Sequence, residues 1–320
     1  MKYYLAPMEG ITNYIYRNAY HRCFYKMDKY FSPFMVANQK GSFRSKELSD
    51  LLPENNQGIY LVPQILTNNA GDFIQTSKAI NELGYNEINI NLGCPSGTVV
   101  AKNRGSGFLS LREELNQFLD TIFSESVTKI SIKTRLGKDS PEEFPKLIEI
   151  FNQYPLEELI IHPRIQKDFY KNKPNLEMFE MALSSCKFPV VYNGDIFRVE
   201  DYNKFVTKFP LVDTIMLGRG VIGNPSLVNE IANGEHVEKM IFKEFHNQIY
   251  KDYQNILYGD RNILFKMKEF WFYMIQMFSE SDKYWKKIKK VQRLSEYEVI
   301  VENLFSNQEI IHGRGFQTIV

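Results

Sequence analysis

What most constrains this chain is a rhythm. Short apolar or β-branched runs alternate with longer segments of helical periodicity from the N-terminus to about residue 217 of 320. The runs are Tyr3 to Ala6, Pro33 to Ala37, Ile59 to Ile65, Glu87 to Leu92, Lys129 to Thr134, Leu159 to His162, Val190 to Asn193 and Thr214 to Leu217. Helical candidates lie between them: one from Thr12, then Ala70 to Leu83, Glu113 to Ser124 and Glu142 to Gln153. Strands alternating with helices form parallel βαβ units. Eight such units predict a closed (β/α)₈ TIM barrel, a fold that needs about 250 residues. A doubly wound open sheet is the competitor, and it seldom needs eight repeats.

From about Asn233 the rhythm stops. Helical periodicity continues through Val237 to Leu257, Asn262 to Phe278, Lys283 to Arg293 and Glu296 to Phe305. The reading is therefore two domains: a barrel over residues 1–233 and a small all-α domain over 234–320. The apolar share of 43% and charged share of 24% suit a well-filled core. A net charge of +1 excludes a globally basic nucleic-acid binder, so any RNA contact must come from a local patch. Three widely spaced cysteines, Cys23, Cys94 and Cys186, are neither a disulfide framework nor a metal cluster. The N-terminus is broken too early by Pro7 for a signal peptide. No apolar run reaches the roughly 18 residues of a membrane helix. These features predict a cytoplasmic protein with no membrane and no metal partner. Nothing demands an oligomer, so a monomer is expected.

In a (β/α)₈ barrel the chemistry sits at the C-terminal ends of the strands. Here Pro7 and Met8 end the first run, and Gln64 the third. Asn91 and Cys94 follow the fourth, Lys133 and Arg135 the fifth, and His162 and Arg164 the sixth. Asn193-Gly194-Asp195 and Gly218-Arg219-Gly220 close the last two. Loops after strands seven and eight commonly bind phosphate through backbone N–H groups and a short helix N-terminus. Glycines permit the close approach, and Arg219 offers a guanidinium fork. The bland alternative is that these glycines only make tight turns.

These residues carry a resemblance to the tRNA-dihydrouridine synthases. It runs from Ala6-Pro7-Met8 to Gly218-Arg219-Gly220-Val221-Ile222-Gly223-Asn224-Pro225 and extends into the helical tail. Its most specific stretch is Asn91-Leu92-Gly93-Cys94-Pro95-Ser96 followed by Gly105-Ser106-Gly107. Ile132-Lys133-Thr134-Arg135-Leu136-Gly137, Ile161-His162-Pro163-Arg164 and Asn193-Gly194-Asp195-Ile196 match in the same order. The resemblance implies an FMN-dependent reductase of the uracil C5–C6 bond in tRNA, with NADPH as hydride source. It implies that Pro7, Met8 and Gln64 surround the flavin ring and that Lys133 and His162 contact its pyrimidine side. Asn193, Gly194, Asp195, Gly218 and Arg219 would hold the ribityl phosphate. Asn91 and Cys94 would face the base, with Cys94 as proton donor, and Arg164 would assist positioning. Asn13, Pro163 and the Asn38-Gln39 pair depart from the usual pattern; they bear on the subgroup, not the flavin site.

The residue types fit that chemistry. A cysteine with an ordinary pKa near 8.5 is mostly thiol at neutral pH and can donate a proton. A positioned general acid contributes about 10² to 10⁴ in rate. Gly93 and Pro95 place Cys94 on a turn at the barrel mouth. Its alternatives are a buried structural thiol or a nucleophile with His162 as base. Lys133 is read as an electrostatic partner for the flavin, with a Schiff-base lysine as alternative. Arg135 is read as sharing its face and keeping the pocket cationic. His162 has no partners at metal-ligand spacing.

For RNA, Lys102 and Arg104 follow Cys94 in the same loop. Lys283, Lys286, Lys287, Lys289, Lys290 and Arg293 form a basic cluster beside Tyr284 and Trp285. Extruding a stacked base calls for such cationic and aromatic groups, although a charged helix face is often only solvated. The competing functions are a flavin barrel acting on a free pyrimidine, as in dihydroorotate dehydrogenases, and an RNA-binding barrel without catalysis. The basic tail argues against the first, and the Cys94, Lys133 and His162 set against the second.

Overall fold

The computed structural model describes residues 1–317. Residues 318–320, the end of the tail segment expected over 234–320, lie outside the described residues. The chain forms two compact units. The first comprises residues 1–7, 28–194 and 212–216, and the second residues 8–27, 195–211 and 217–320.

The first unit is built on a sheet of ten strands. These are β1 (Lys2–Leu5), β2 (Lys29–Phe31), β3 (Met35–Val36), β4 (Leu61–Val62), β5 (Gln64–Leu66), β6 (Glu87–Leu92), β7 (Lys129–Gly137), β8 (Leu159–Ile165), β9 (Val190–Tyr192) and β10 (Thr214–Leu217). Their order is β3-β5-β6-β7-β8-β9-β10-β1-β2-β4. Strands β2 and β3 are halves of one stave interrupted around Pro33, and β4 and β5 halves of the next interrupted at Pro63, because proline cannot donate to a ladder. Since β2 pairs with β4 and β3 with β5, both in parallel, the two ends of the order are the same pair of staves. The sheet therefore closes on itself as the eight-staved (β/α)₈ barrel that the rhythm predicts.

Register sorts the barrel's side chains. Along β6 the sequence Glu-Ile-Asn-Ile-Asn-Leu alternates, so Glu87, Asn89 and Asn91 share one face and Ile88, Ile90 and Leu92 the other. Asn89 lies opposite Gln64 and Ser131, and Asn91 opposite Lys133. The interior is filled at mid-height by Tyr4, Phe31, Val62, Ile160, Val191 and Met216, all nearly inaccessible. The N-terminal end is closed by Lys29, whose ammonium lies 2.8 Å from Glu87 and 3.2 Å from Glu158. The Tyr4 and Tyr60 hydroxyls donate to Glu158 and Glu87, each at 3.0 Å. The second stave thus begins at Lys29, earlier than the expected Pro33. At the other end β7 and β8 run past their expected limits, and the pairing shifts between Arg135 and Gly137. This irregularity falls at Pro163 and Arg164, where β8 holds the extra residue; such bulges re-aim side chains beside active sites.

The second unit is helical. Its longest members are Lys239–Ile256, Asp260–Met274 and Leu294–Asn307, with the shorter Ser281–Lys290 between the last two. Their core contains a directed hydrogen-bond chain. Trp271 Nε1 donates to Tyr297 Oη at 2.8 Å, so the tyrosine proton goes to His246 Nε2 at 2.6 Å. The His246 Nδ1–H then meets Asn247 Oδ1 at 2.9 Å. Burial drives the His246 imidazole down to about 4, so it is neutral. No helix among the described residues is long and apolar enough to cross a membrane.

Candidate active site

The C-terminal end of the barrel carries a ladder of amides that ends at Cys94. Asn89 Nδ2 donates to Ser131 Oγ at 2.9 Å, and Gln64 Nε2 to Asn89 Oδ1 at 2.7 Å. Asn91 Nδ2 donates to Gln64 Oε1 at 2.8 Å. The freed Asn91 Oδ1 accepts the backbone N–H groups of Gly93 and Cys94, at 3.1 and 2.9 Å. Every amide in the chain is satisfied, so the loop is held in one arrangement. Ser106 clamps it from a second side, donating from backbone N and Oγ to the Cys94 carbonyl at 3.1 and 2.8 Å. Gly105 is required there. Its φ is +55°, and a Cβ would lie 2.8 Å from the Cys94 carbonyl oxygen. Cys94 itself is half-buried.

Lys133 lies at the register position beside Asn91. Burial first, and the Arg135 cation second, drive its ammonium down to about 7. Among the described residues no carboxylate pairs with it. His162 and Arg164 are buried together, with the guanidinium 2.8 Å from His162 Nε2. Arginine only donates, so Nε2 is the acceptor and the neutral ring carries its proton on Nδ1.

The structure departs from the sequence reading in two side-chain directions. Arg135, expected to share the Lys133 face and keep the substrate pocket cationic, is buried; it donates to the carbonyls of Gly93, Ile165 and Phe169 at 3.0, 2.9 and 2.8 Å. It ties the Cys94 loop to the loop after β8, and its charge acts on the mouth only as a field. Gln64, expected against a ring, is wholly inaccessible and reaches the mouth through Asn91. Pro7 is half-buried after β1, Asn193 donates to the Met216 carbonyl at 2.9 Å, and Lys102 is exposed. Gly194 admits no side chain, since a Cβ there would collide with the Tyr192 hydroxyl.

In the second unit, Met8 caps the turn before the helix Tyr14–Cys23, its N–H donating to Thr12 Oγ1 at 2.8 Å. Gly218 precedes the short helix Arg219–Gly223. Arg219 donates to Asp195 at 2.7 Å and lies over the adjoining rings of Phe197 and Phe316, 5.2 and 5.9 Å from their centres. Lys286, Lys287 and Lys290 are exposed on the helix Ser281–Lys290. Tyr284 is buried and donates to the Asn303 carbonyl, so this ring is not presented for stacking.

Sequence reading missed Asn89 and Ser131, which the ladder needs, although their alternation within strand runs was visible. It also missed Tyr170, an exposed ring 5.9 Å from His162 and 5.4 Å from the Arg135 guanidinium. No pattern in the polar loop around it signals that position.

A closed parallel barrel with its ordered polar groups at the strand C-termini defines a (β/α)₈ enzyme. Residues 4–309 match the family model described as dihydrouridine synthase (Dus), and the chain belongs to that family. Among curated relatives, tRNA-dihydrouridine synthase B of Pasteurella multocida is 28% identical over 225 residues, covering 70% of this chain and 67% of the relative. The tRNA-dihydrouridine(16) synthase of Pseudomonas putida is 27% identical over 280 residues, covering 85% and 81%. Among solved structures, the old yellow enzyme homologue of Zymomonas mobilis superposes with a TM-score of 0.54 at 11% identity, covering 76% of this chain and 92% of that one. Morphinone reductase in complex with tetrahydroNAD gives 0.53 at 10%, covering 76% and 90%. These two likenesses concern the fold.

Proposed function

We propose that this chain reduces the C5–C6 bond of uridine in tRNA, using FMN and NADPH, with Cys94 as the general acid. The observation that carries the reading is the Cys94 loop: a half-buried thiol fixed from two sides at the barrel mouth, beside a lysine with no carboxylate partner among the described residues. The family membership and the names of the relatives support the substrate class.

The residues fit a phosphorylated flavin. Lys133 has no carboxylate partner among the described residues and its pKa is lowered to about 7, so a bound ring that gains negative character would restore its proton. Arg219, at the start of the short helix Arg219–Gly223, supplies a guanidinium for the phosphate. FMN, when bound, would supply the hydride, and the protein's part is orientation, electrostatics and the acid. Asn91 would hold the base edge while its Oδ1 fixes the Cys94 backbone. The Cys94 thiol would deliver its proton to the pyrimidine carbon next to the one that receives hydride. Arg135 acts as a positioning residue through the Gly93 carbonyl. Tyr170 offers a face on which an extruded base can stack.

The test begins with the visible spectrum of the purified protein and the mass of its released chromophore. Incubation with NADPH and unmodified tRNA then follows, with dihydrouridine counted by nucleoside mass analysis. Stoichiometric FMN and NADPH-dependent dihydrouridine are expected. A colourless protein that takes up no added FMN overturns the reading. A flavoprotein that reduces a free pyrimidine but no tRNA would favour the dihydroorotate dehydrogenase-like alternative.

A further inference from the structure

The second unit brings together three potential metal ligands, two of them close in sequence and the third far along the chain. Glu230 is on the helix Leu227–Asn233, His236 follows it in the loop after Gly234, and His312 lies near the C-terminus. Their ligand atoms all lie within 4.8 Å of one another. His236 Nδ1 is 4.0 Å from Glu230 Oε1, and the two imidazole centres are 4.1 Å apart.

The carboxylate is the informative member. The Glu230 side chain is only 3% exposed. A buried carboxylate needs a compensating charge, yet among the described residues the one basic group in ion-pair range is His236. Its Oε1 is also oriented by two donors, Ser226 Oγ at 2.8 Å and Asn224 Nδ2 at 3.1 Å. Such outer hydrogen bonds to a ligand oxygen are what metal sites use to fix their ligands. Both histidines are exposed, which leaves an entry path.

We infer that Glu230, His236 and His312 bind one divalent transition-metal ion of the Zn²⁺ type. Two imidazoles and a carboxylate are the donor set that suits zinc, with water in a fourth position. Zn–N and Zn–O bonds of about 2.0–2.2 Å imply ligand separations of roughly 3.5 Å, so the site closes by about an ångström. The loops can supply that movement: Gly234 and Gly313, at φ +69° and +72°, flank the two histidines. The ion would staple the C-terminal segment to the helix Leu227–Asn233. That segment continues to Phe316, which packs on Gly223 and against Arg219. The inference is independent of the activity proposed above.

The test uses the full chain, stripped with a chelator and titrated with Zn²⁺ against a chromogenic zinc indicator. One equivalent is expected to bind. His236→Ala and His312→Ala, both at exposed positions that threaten no core, should each weaken binding at least tenfold without altering flavin content. Co²⁺ should give the visible absorption of a four-coordinate N/O site in the parent and lose it in both variants. Failure of the parent to bind stoichiometric Zn²⁺ overturns the site. So does unchanged affinity in either variant, which would assign the ion to other groups.

Discussion

Two lysines inside one barrel meet opposite fates. Lys29 enters at the N-terminal end, where burial works against its charge but Glu158 and Glu87 outweigh that and raise its pKa. Lys133 lies at the C-terminal end, where burial and then Arg135 lower its pKa to about 7. The residue type and the sheet are the same; what differs is whether the chain itself supplies the counter-charge. At the N-terminal end two carboxylates and two tyrosine hydroxyls complete the lysine's surroundings. At the C-terminal end the amides are used to hold Cys94, and no carboxylate among the described residues pairs with the lysine. The contrast assigns stability to one rim and chemistry to the other, the division expected of (β/α)₈ enzymes.

The largest effect that would sharpen this division is on turnover. Cys94→Ala should still bind FMN and accept hydride from NADPH, yet form dihydrouridine about 10² to 10⁴ times more slowly. Single-turnover reoxidation of the reduced protein by tRNA measures it; an undiminished rate would mean that another group or water gives the proton. Lys29→Met probes the opposite rim. It leaves Glu87 and Glu158 buried without their cation and should cost about 3–5 kcal/mol in urea unfolding. Below its melting point the variant should keep its turnover per bound flavin. A neutral Lys29→Met would break the comparison, because the closed rim would then be no tighter than the open one.

Part of this arrangement is legible in sequence. Strands β6 and β10 were readable end to end, because each run is bounded by turn residues and its alternation or apolarity is uninterrupted. The start of β2 was not. Lys29 reads as a polar flank until its partners, 58 and 129 residues away, are folded against it. In the site, residue types and rim positions were readable from strand ends, whereas side-chain directions were not. Arg135 turns to three carbonyls because the β7–β8 register shift brings the Ile165 and Phe169 carbonyls within its reach. Gln64 turns inward because Asn89 and Asn91 bracket its amide. Tyr284 looked available for stacking, but the tail helix buries it with Ile288 one turn on.

Lys133→Met tests the open rim directly. In the apoprotein below about pH 7 the lysine is charged in both states, and the folded state bears the whole penalty. Between about pH 7 and the ordinary lysine value near 10.4 the unfolded chain holds a proton that the folded one has lost, so stability rises with pH. Lys133→Met should lose that rise and, near pH 7, be more stable than the parent by about 1–3 kcal/mol, less than the full shift because water reaches the mouth. Denaturant midpoints at about pH 7 and about pH 9 measure both effects. Parallel pH profiles in the two proteins would show that Lys133 is not strained, and the contrast with Lys29 would fail.

The smallest expected effect carries the same comparison to the tail helix. There Lys283 is paired with Glu280 at 2.6 Å, whereas Lys287 and Lys290 are exposed and, among the described residues, form no ion pair. If the lysines outside ion pairs are those that meet a ligand, the Lys287→Glu, Lys290→Glu double variant should bind tRNA about tenfold more weakly at low salt. The slope of log affinity against log salt should fall by about two, one for each phosphate that is no longer neutralised. Lys283→Glu should move neither quantity as far, because its charge is already engaged. Filter binding across a salt series, with flavin content as the control for folding, separates the cases. An equal loss in all of these variants would mean that the helix acts only through its net charge, and the pairing of individual lysines would carry no information about RNA.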